Sequence, residues 1–344
     1  MNILSVNQLF FLLISSMGVL IFLLLYLTAA KLFRKQKRKK MDESKERYRL
    51  PLYHYLNDQA EFADNKMDAE AFSELLQEFA VVLDSETVKE RLRNAAEKSL
   101  TKWLRKHLYS GKWSFRMNAL YIIEDLRLFH FLDDIEKQYQ VKKISASEEA
   151  QMLKIFAVSG EPGFISKLNM VRNDLSDFTF FTIFQSLPAE QLKQCILHYP
   201  QLKKPVKYNL INLIGEKQLF EHNVFLEDLL YTGDKEEKLR SLRAISDMGR
   251  LVHPEKIAPF LKSSSWQERM MAVKVIGALR IDAYKMDVKL LLEDREYLVR
   301  MESARSLVKF KDGRDELIDV INRSEDGFAK DMAIEWIEKE RIYY

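Results

Sequence analysis

The stretch KLRSLRAISDMGRL (238–251) returns three times, as QERMMAVKVIGAL (267–279), YLVRMESARSLVKF (297–310) and FAKDMAIEWIEK (328–339). Ile245, Met248 and Gly249 of the first align with Val273, Ile276 and Gly277, 28 residues on. They align again with Ala304, Leu307 and Val308 after 31 more, and with Ala333, Trp336 and Ile337 after a further 29. Apolar positions three and four apart mark one face of an amphipathic helix. Between these segments lie shorter apolar runs at 257–261, 288–292 and 317–321. Each unit therefore reads as helix, turn, helix over about 30 residues, the length typical of stacked repeats. Such a unit cannot bury its apolar face alone, so neighbours must stack. The expected fold is an all-α helical-repeat solenoid.

The register extends backward. Candidate first helices begin near Trp113, Ser147, Asp177, Pro205 and Lys238, at intervals of 34, 30, 28 and 33 residues. This predicts about eight helix pairs over 113–344. Ahead of them, Phe72, Leu75, Leu76 and Phe79 form an apolar stripe that predicts a helix over 66–82. Asp84 and Ser85 break it before another helix from Glu86 to about Leu108. These two helices give an N-terminal helical cap at 65–112. The charged stretch 31–64, with Pro51 inside it, reads as a basic juxtamembrane segment and linker.

PEKIAPFLKSSSWQERMMAVKVIGAL (254–279) resembles the short bacterial form of the HEAT repeat through Pro259, Leu261, Arg269, Ala272, Val273, Ile276, Gly277 and Leu279. LLLEDREYLVRMESARSLVKF (290–310) resembles it through Leu291, Leu292, Asp294, Val299, Arg300, Ala304 and Leu307. The likeness covers 237–340. It implies that a turn Asp and a helix Arg join adjacent units in a polar ladder, with Asp294 and Arg300 as the pair. It also implies a protein-binding role, such as that of bacterial HEAT proteins associated with membrane glycosyltransferases or other envelope-biogenesis complexes. Some short HEAT-like proteins are instead phycobilin lyases, but nothing in this chain marks a pigment pocket.

The chain opens on 30 residues without a charge. Residues 9–30 (LFFLLISSMGVLIFLLLYLTAA) include eight Leu, two Ile, three Phe and a Val, and 22 residues suffice to cross a bilayer. A cleaved signal would place its positive charges ahead of a shorter apolar core. Here seven Lys and Arg follow it, in KLFRKQKRKK (31–40). Basic residues after a span stay cytoplasmic. The expectation is a single-pass cell-membrane protein anchored through 1–30, its N-terminus outside and its repeats in the cytoplasm.

The net charge of +3 is misleading for the same reason. Removing those seven residues from 54 Lys and Arg leaves 47 against 51 Asp and Glu, a net of −4 over 41–344. Nucleic-acid binding draws its affinity from excess positive charge on the folded domain, so this balance argues against it.

No catalytic constellation stands out. The chain has no phosphate-binding glycine motif, its six His are scattered, and its one cysteine, Cys195, sits among apolar residues. Adjacent carboxylates such as Glu124-Asp125 and Asp133-Asp134 diverge on a helix and read as solvated surface. No metal or cofactor is expected, and the chain reads as a scaffold or accessory subunit for a protein partner at the cytosolic membrane face. One patch, 89–116, carries nine Lys and Arg against two acids, with Trp103 and Trp113 among them. Lys102, Arg105, Lys106, Lys112 and Arg116 are its candidate contacts to an acidic partner or anionic lipid, which would make the protein a lipid or acidic-ligand adaptor.

Overall fold

The computed structural model describes residues 6–59, 61, 68–141 and 143–343. Among them every regular element is helical and no strand occurs. The chain divides into two compact units, Met1–Ile155 and Phe156–Tyr344.

In the first unit, α1 (Val6–Leu56) is a single helix of 51 residues. Its early part leaves large apolar side chains bare, with Phe10 65%, Phe11 76% and Phe22 69% exposed. Its later part is docked. Ser44, Lys45, Leu52 and Leu56 are buried against the helices that follow, α2 (Ala69–Val82) and α3 (Glu86–Leu108). The Tyr48 ring meets Phe72 edge-on at 5.9 Å, and the Tyr48 hydroxyl accepts the Asp68 amide at 3.0 Å.

The linker expected at 31–64 is thus helix as far as Leu56. Residues 31–50 hold no Gly and many Lys, Arg, Glu and Gln, which lose little rotamer freedom in a helix. The pairs Lys39–Glu43 (3.9 Å) and Glu46–Arg49 (2.9 Å) add local support. Pro51 sits on the exposed face, where a carbonyl left without its amide partner meets solvent. The expected start of α2 at Lys66 lies outside the described residues. Its observed start is set by Asp68, whose side chain accepts the Glu70 and Ala71 amides.

From there first and second helices of successive units alternate. The first helices are α4 (Trp113–Asp125), α6 (Ala146–Ser159), α8 (Asp177–Gln185), α10 (Lys204–Glu216), α12 (Lys235–Met248), α14 (Trp266–Leu279), α16 (Tyr297–Leu307) and α18 (Gly327–Tyr343). The second helices are α5 (Leu132–Tyr139), α7 (Phe164–Asn169), α9 (Ala189–Leu197), α11 (Asn223–Thr232), α13 (Ala258–Leu261), α15 (Lys285–Leu290) and α17 (Gly313–Arg323). Within the second unit α8, α10, α12, α14, α16 and α18 pack side by side in chain order. The fold is a helical-repeat solenoid. In α8, Phe180, Ile183 and Phe184 are buried, while Phe178 is 74% exposed.

The helix starts also correct the repeat register. α10, α12, α14 and α16 begin at 204, 235, 266 and 297, each 31 residues after the last. Gly249 therefore corresponds to Arg280, and both end their helices in the left-handed conformation, at φ 65° and 52°. The 28-residue alignment slipped by three, which leaves an apolar stripe almost in phase because three residues are nearly one turn. Gly277 has a different job. A Cβ there would lie 2.8 Å from the Ser306 Cα, just as one on Gly215 would lie 2.8 Å from the Ala244 Cα. Bare backbone at these points lets neighbouring first helices approach closely, and the Ser306 hydroxyl donates to the Val273 carbonyl at 3.1 Å across the seam.

Candidate interaction surfaces

The polar ladder exists, with different rungs from those expected. In the first unit Arg116 donates one guanidinium N–H to the Ser110 carbonyl, six residues back, at 2.9 Å. Its Nε donates to Glu148 at 2.6 Å. In the second unit Arg269 donates to the Ser263 carbonyl, also six back, at 2.7 Å. Its Nε and the other terminal nitrogen donate to the two Asp294 oxygens at 2.6 and 2.8 Å. Asp294 thus pairs with the arginine of the preceding unit, and not with Arg300. Arg300 donates to the Asp294 and Arg295 carbonyls at 2.8 and 3.1 Å, its guanidinium 5.1 Å from the Phe328 ring centre. The geometry explains the shift. Each arginine caps the turn that opens its own helix; the forks of Arg116 and Arg269 then reach an acid of the next unit, and that of Arg300 faces the Phe328 ring.

These carboxylates are tuned by that arrangement. Burial raises the Asp294 carboxyl, but Arg269 and the Glu296 amide outweigh it and leave its pKa below the usual range. Glu148 behaves alike, with burial opposed by Arg116 and by the Ser145 amide and hydroxyl.

The 89–116 patch divides into structural and free residues. Arg91 donates to the Tyr55 and Leu56 carbonyls (3.3 Å each) and pairs with Asp58 at 2.9 Å, locking the end of α1. Arg105 pairs with Asp134 at 3.1 Å, and Arg116 is the ladder rung described above. Lys102 and Lys106 stay exposed, as does Lys98, and their four-residue spacing puts them in a row along α3. Lys112 is exposed with its ammonium 5.3 Å from the Phe115 ring centre. Of the five residues singled out from sequence, three remain available to a partner. The adjacent carboxylates are not simply solvated surface. Asp134 holds Arg105 and Tyr109, and Glu124 holds Lys154 at 2.7 Å and Gln151 at 2.5 Å.

Burial pushes the Cys195 thiol up to about 12, far from a thiolate at neutral pH. Among the described residues no three His, Cys, Asp or Glu side chains converge on a metal position. One carboxylate–imidazole–hydroxyl chain does occur. Glu97 lies 3.3 Å from the His130 Nδ1, and Thr101 Oγ1 lies 3.2 Å from Nε2. The Thr101 hydroxyl, however, donates its proton to the Glu97 carbonyl at 2.6 Å, so His130 is not placed to take it. A cavity of about 230 Å³ between α15 and α17 is lined by Met286, Leu290 and Val320. Its Lys289 is held by Glu316 (2.6 Å) and Asp319 (2.7 Å).

The docking of α1 is the feature that sequence reading missed. Its signal was the apolar series Tyr48, Leu52 and Leu56 at four-residue spacing, masked by the weight given to Pro51.

No family model matches this chain, and no curated protein matches it. Solved structures similar to it include karyopherins and engineered proteins. Kap121p bound to RanGTP aligns at 14% identity and a TM-score of 0.47, over 85% of this chain and 38% of that one. Importin beta aligns at 12% identity and 0.43, over 79% and 45%. An engineered protein aligns at 13% identity and 0.35, over 78% of each chain. The chain thus spans less than half the length of these karyopherins.

Proposed function

We propose that this chain is a single-pass membrane protein whose helical repeats form a cytosolic scaffold, holding a protein partner close to the membrane face. The observation that carries this reading is α1. One uninterrupted helix runs from an exposed apolar segment, through a basic block, into a buried seat against α2 and α3. Bare apolar side chains over that length are costly in water and favourable in lipid, at roughly 25 cal/mol per Å². The basic block that follows favours a cytosolic domain. The stacked units then offer a long surface, while the charged groups of the ladder are committed to structure. A membrane glycosyltransferase or another envelope-biogenesis complex is the partner class that the HEAT-like resemblance suggests.

Crosslinking and affinity purification from detergent-solubilised native membranes tests the scaffold. One or a few membrane-associated partners should be recovered in near-stoichiometric amount, and recovery of none would defeat the proposal. Topology is checked separately. A reporter fused after Tyr344 should be active only in the cytosol. Replacing the seven bases of 31–40 with Gln should give mixed orientation.

A second reading rests on the exposed lysines of α3 and on Lys112 just beyond it, which suit an anionic lipid surface or an acidic segment. Reversing Lys98, Lys102, Lys106 and Lys112 to Glu should weaken vesicle binding by about tenfold at low salt if this surface meets lipid, and the difference should shrink as salt rises. Unchanged binding would leave these lysines as solvated surface.

A further inference from the structure

The 31-residue register brings together residues that are not adjacent in any sequence motif. Arg243, Lys274 and Arg305 are each the ninth residue of their helix, on α12, α14 and α16. Because these helices pack side by side, the three cations form a row across them, spaced by one interhelical distance of about 8–10 Å. Asp247 serves two of them, at 3.6 Å from Arg243 and 3.2 Å from Lys274. Arg305 lies 3.5 Å from Glu302, whose other oxygen is buried without a hydrogen-bond partner.

The row continues into a crowd of like charge. Lys309, just past α16, is lowered in pKa first by burial and then by Arg305, Lys274 and Arg280, with Glu302 acting against them. Arg243, Lys274, Arg280, Arg305 and Lys309 thus gather on this ridge, with Asp247 and Glu302 among them and Glu216 beside Arg243. One turn toward the helix N-termini, the fifth residues of the same helices are Leu239, Met270 and Met301, all half-buried. A basic row and an apolar row thus run parallel, both crossing the helices.

We infer that this ridge binds a segment of a partner protein in the polyproline II conformation, with an acidic side chain at every third residue and apolar residues between. Such a chain has three residues per turn and rises about 3.1 Å per residue, so every third side chain returns to one face after about 9 Å, close to the step from one helix to the next. The acidic positions meet Arg243, Lys274 and Arg305, and the intervening apolar groups cover Leu239, Met270 and Met301. The inference rests on the scaffold reading and names the chemistry of its partner.

The test uses the full chain in nanodiscs of neutral lipid and two labelled peptides of one composition, read by fluorescence anisotropy. In one, Asp recurs at every third of twelve positions with Leu and Gly between; in the other, the four Asp are contiguous. The periodic peptide should bind several-fold more tightly. R243E/K274E/R305E should weaken it about tenfold or more, and added salt should erode the difference. If the charge-reversed protein loses helical signal, R243Q/K274Q/R305Q should show the same weakening to a smaller degree. Equal affinity for the two peptides would overturn the inference, as would wild-type binding by either variant. Stronger displacement by single-stranded RNA than by unlabelled periodic peptide would also overturn it. If the charge-reversed chain still recovers its partner from native membranes, this surface fails and the scaffold stands. If the wild-type chain recovers none, the scaffold itself fails.

Discussion

Arg269→Met will destabilise the second unit by about 3–5 kcal/mol, the usual cost of leaving one member of a buried ion pair alone. The side chains of Arg269 and Asp294 are only 9% and 6% exposed, and the guanidinium meets both carboxylate oxygens. Removing it strands a carboxylate that has one remaining good donor, the Glu296 amide at 2.9 Å. Adding Asp294→Asn should restore a large part of the loss, because a neutral amide keeps that acceptor without the buried charge. The measurement is urea unfolding of the solubilised chain, followed by helical circular dichroism. Equal midpoints for wild type and Arg269→Met would show that the rung is ornamental. Acid should report the same pair. A carboxyl held below its unfolded pKa contributes stability above about pH 4 and loses it as pH falls through the lower folded value. Arg269→Met should therefore flatten the decline in stability below pH 4.

The ladder also shows what sequence can and cannot reveal here. The stacked-helix fold was legible because a three-residue slip hardly rotates an apolar stripe, so periodicity survives an imperfect alignment. Polar partners do not tolerate that slip. With Gly249 aligned on Gly277, Arg243 falls opposite Met271, and the row formed with Lys274 and Arg305 is invisible. The pairing of Asp294 with Arg300 failed for a related reason. The two are close in sequence, but the fork that grips Asp294 comes from 25 residues earlier, and only packing of α14 beside α16 brings it there. Composition likewise found the basic patch at 89–116. It could not separate Arg91, Arg105 and Arg116, which tie helices together, from Lys102, Lys106 and Lys112, which stay exposed.

On the proposed membrane-scaffold role, a flexible Gly-Gly-Ser-Gly-Gly insertion between Lys40 and Met41 should leave the repeats folded and yet abolish most partner capture at the membrane. From Ala30 to the first buried residue, Ser44, α1 rises fourteen residues, about 21 Å of continuous helix. Below the insertion the apolar segment is unchanged. Above it the seat of α1 is intact, with Lys45 on Glu74 and Glu78, Arg49 on Glu78, and Leu52 and Leu56 buried. Only the rigid connection is lost. A stiff strut fixes height and azimuth, so a partner that is itself held in the membrane meets the repeats at one angle. A flexible joint spreads the domain over many orientations, and that entropy must be recovered on binding. Helical content should match wild type while recovery of the partner from native membranes falls. A seven-residue helical insertion of Ala and Lys is the informative companion. It restores azimuth to within about 20° but raises the domain by about 10 Å. Recovery with it, but not with the flexible joint, would assign the requirement to angle, and failure of both would assign it to height. Full capture by the flexible chain would show that α1 is a simple tether, despite the buried seat into which it runs.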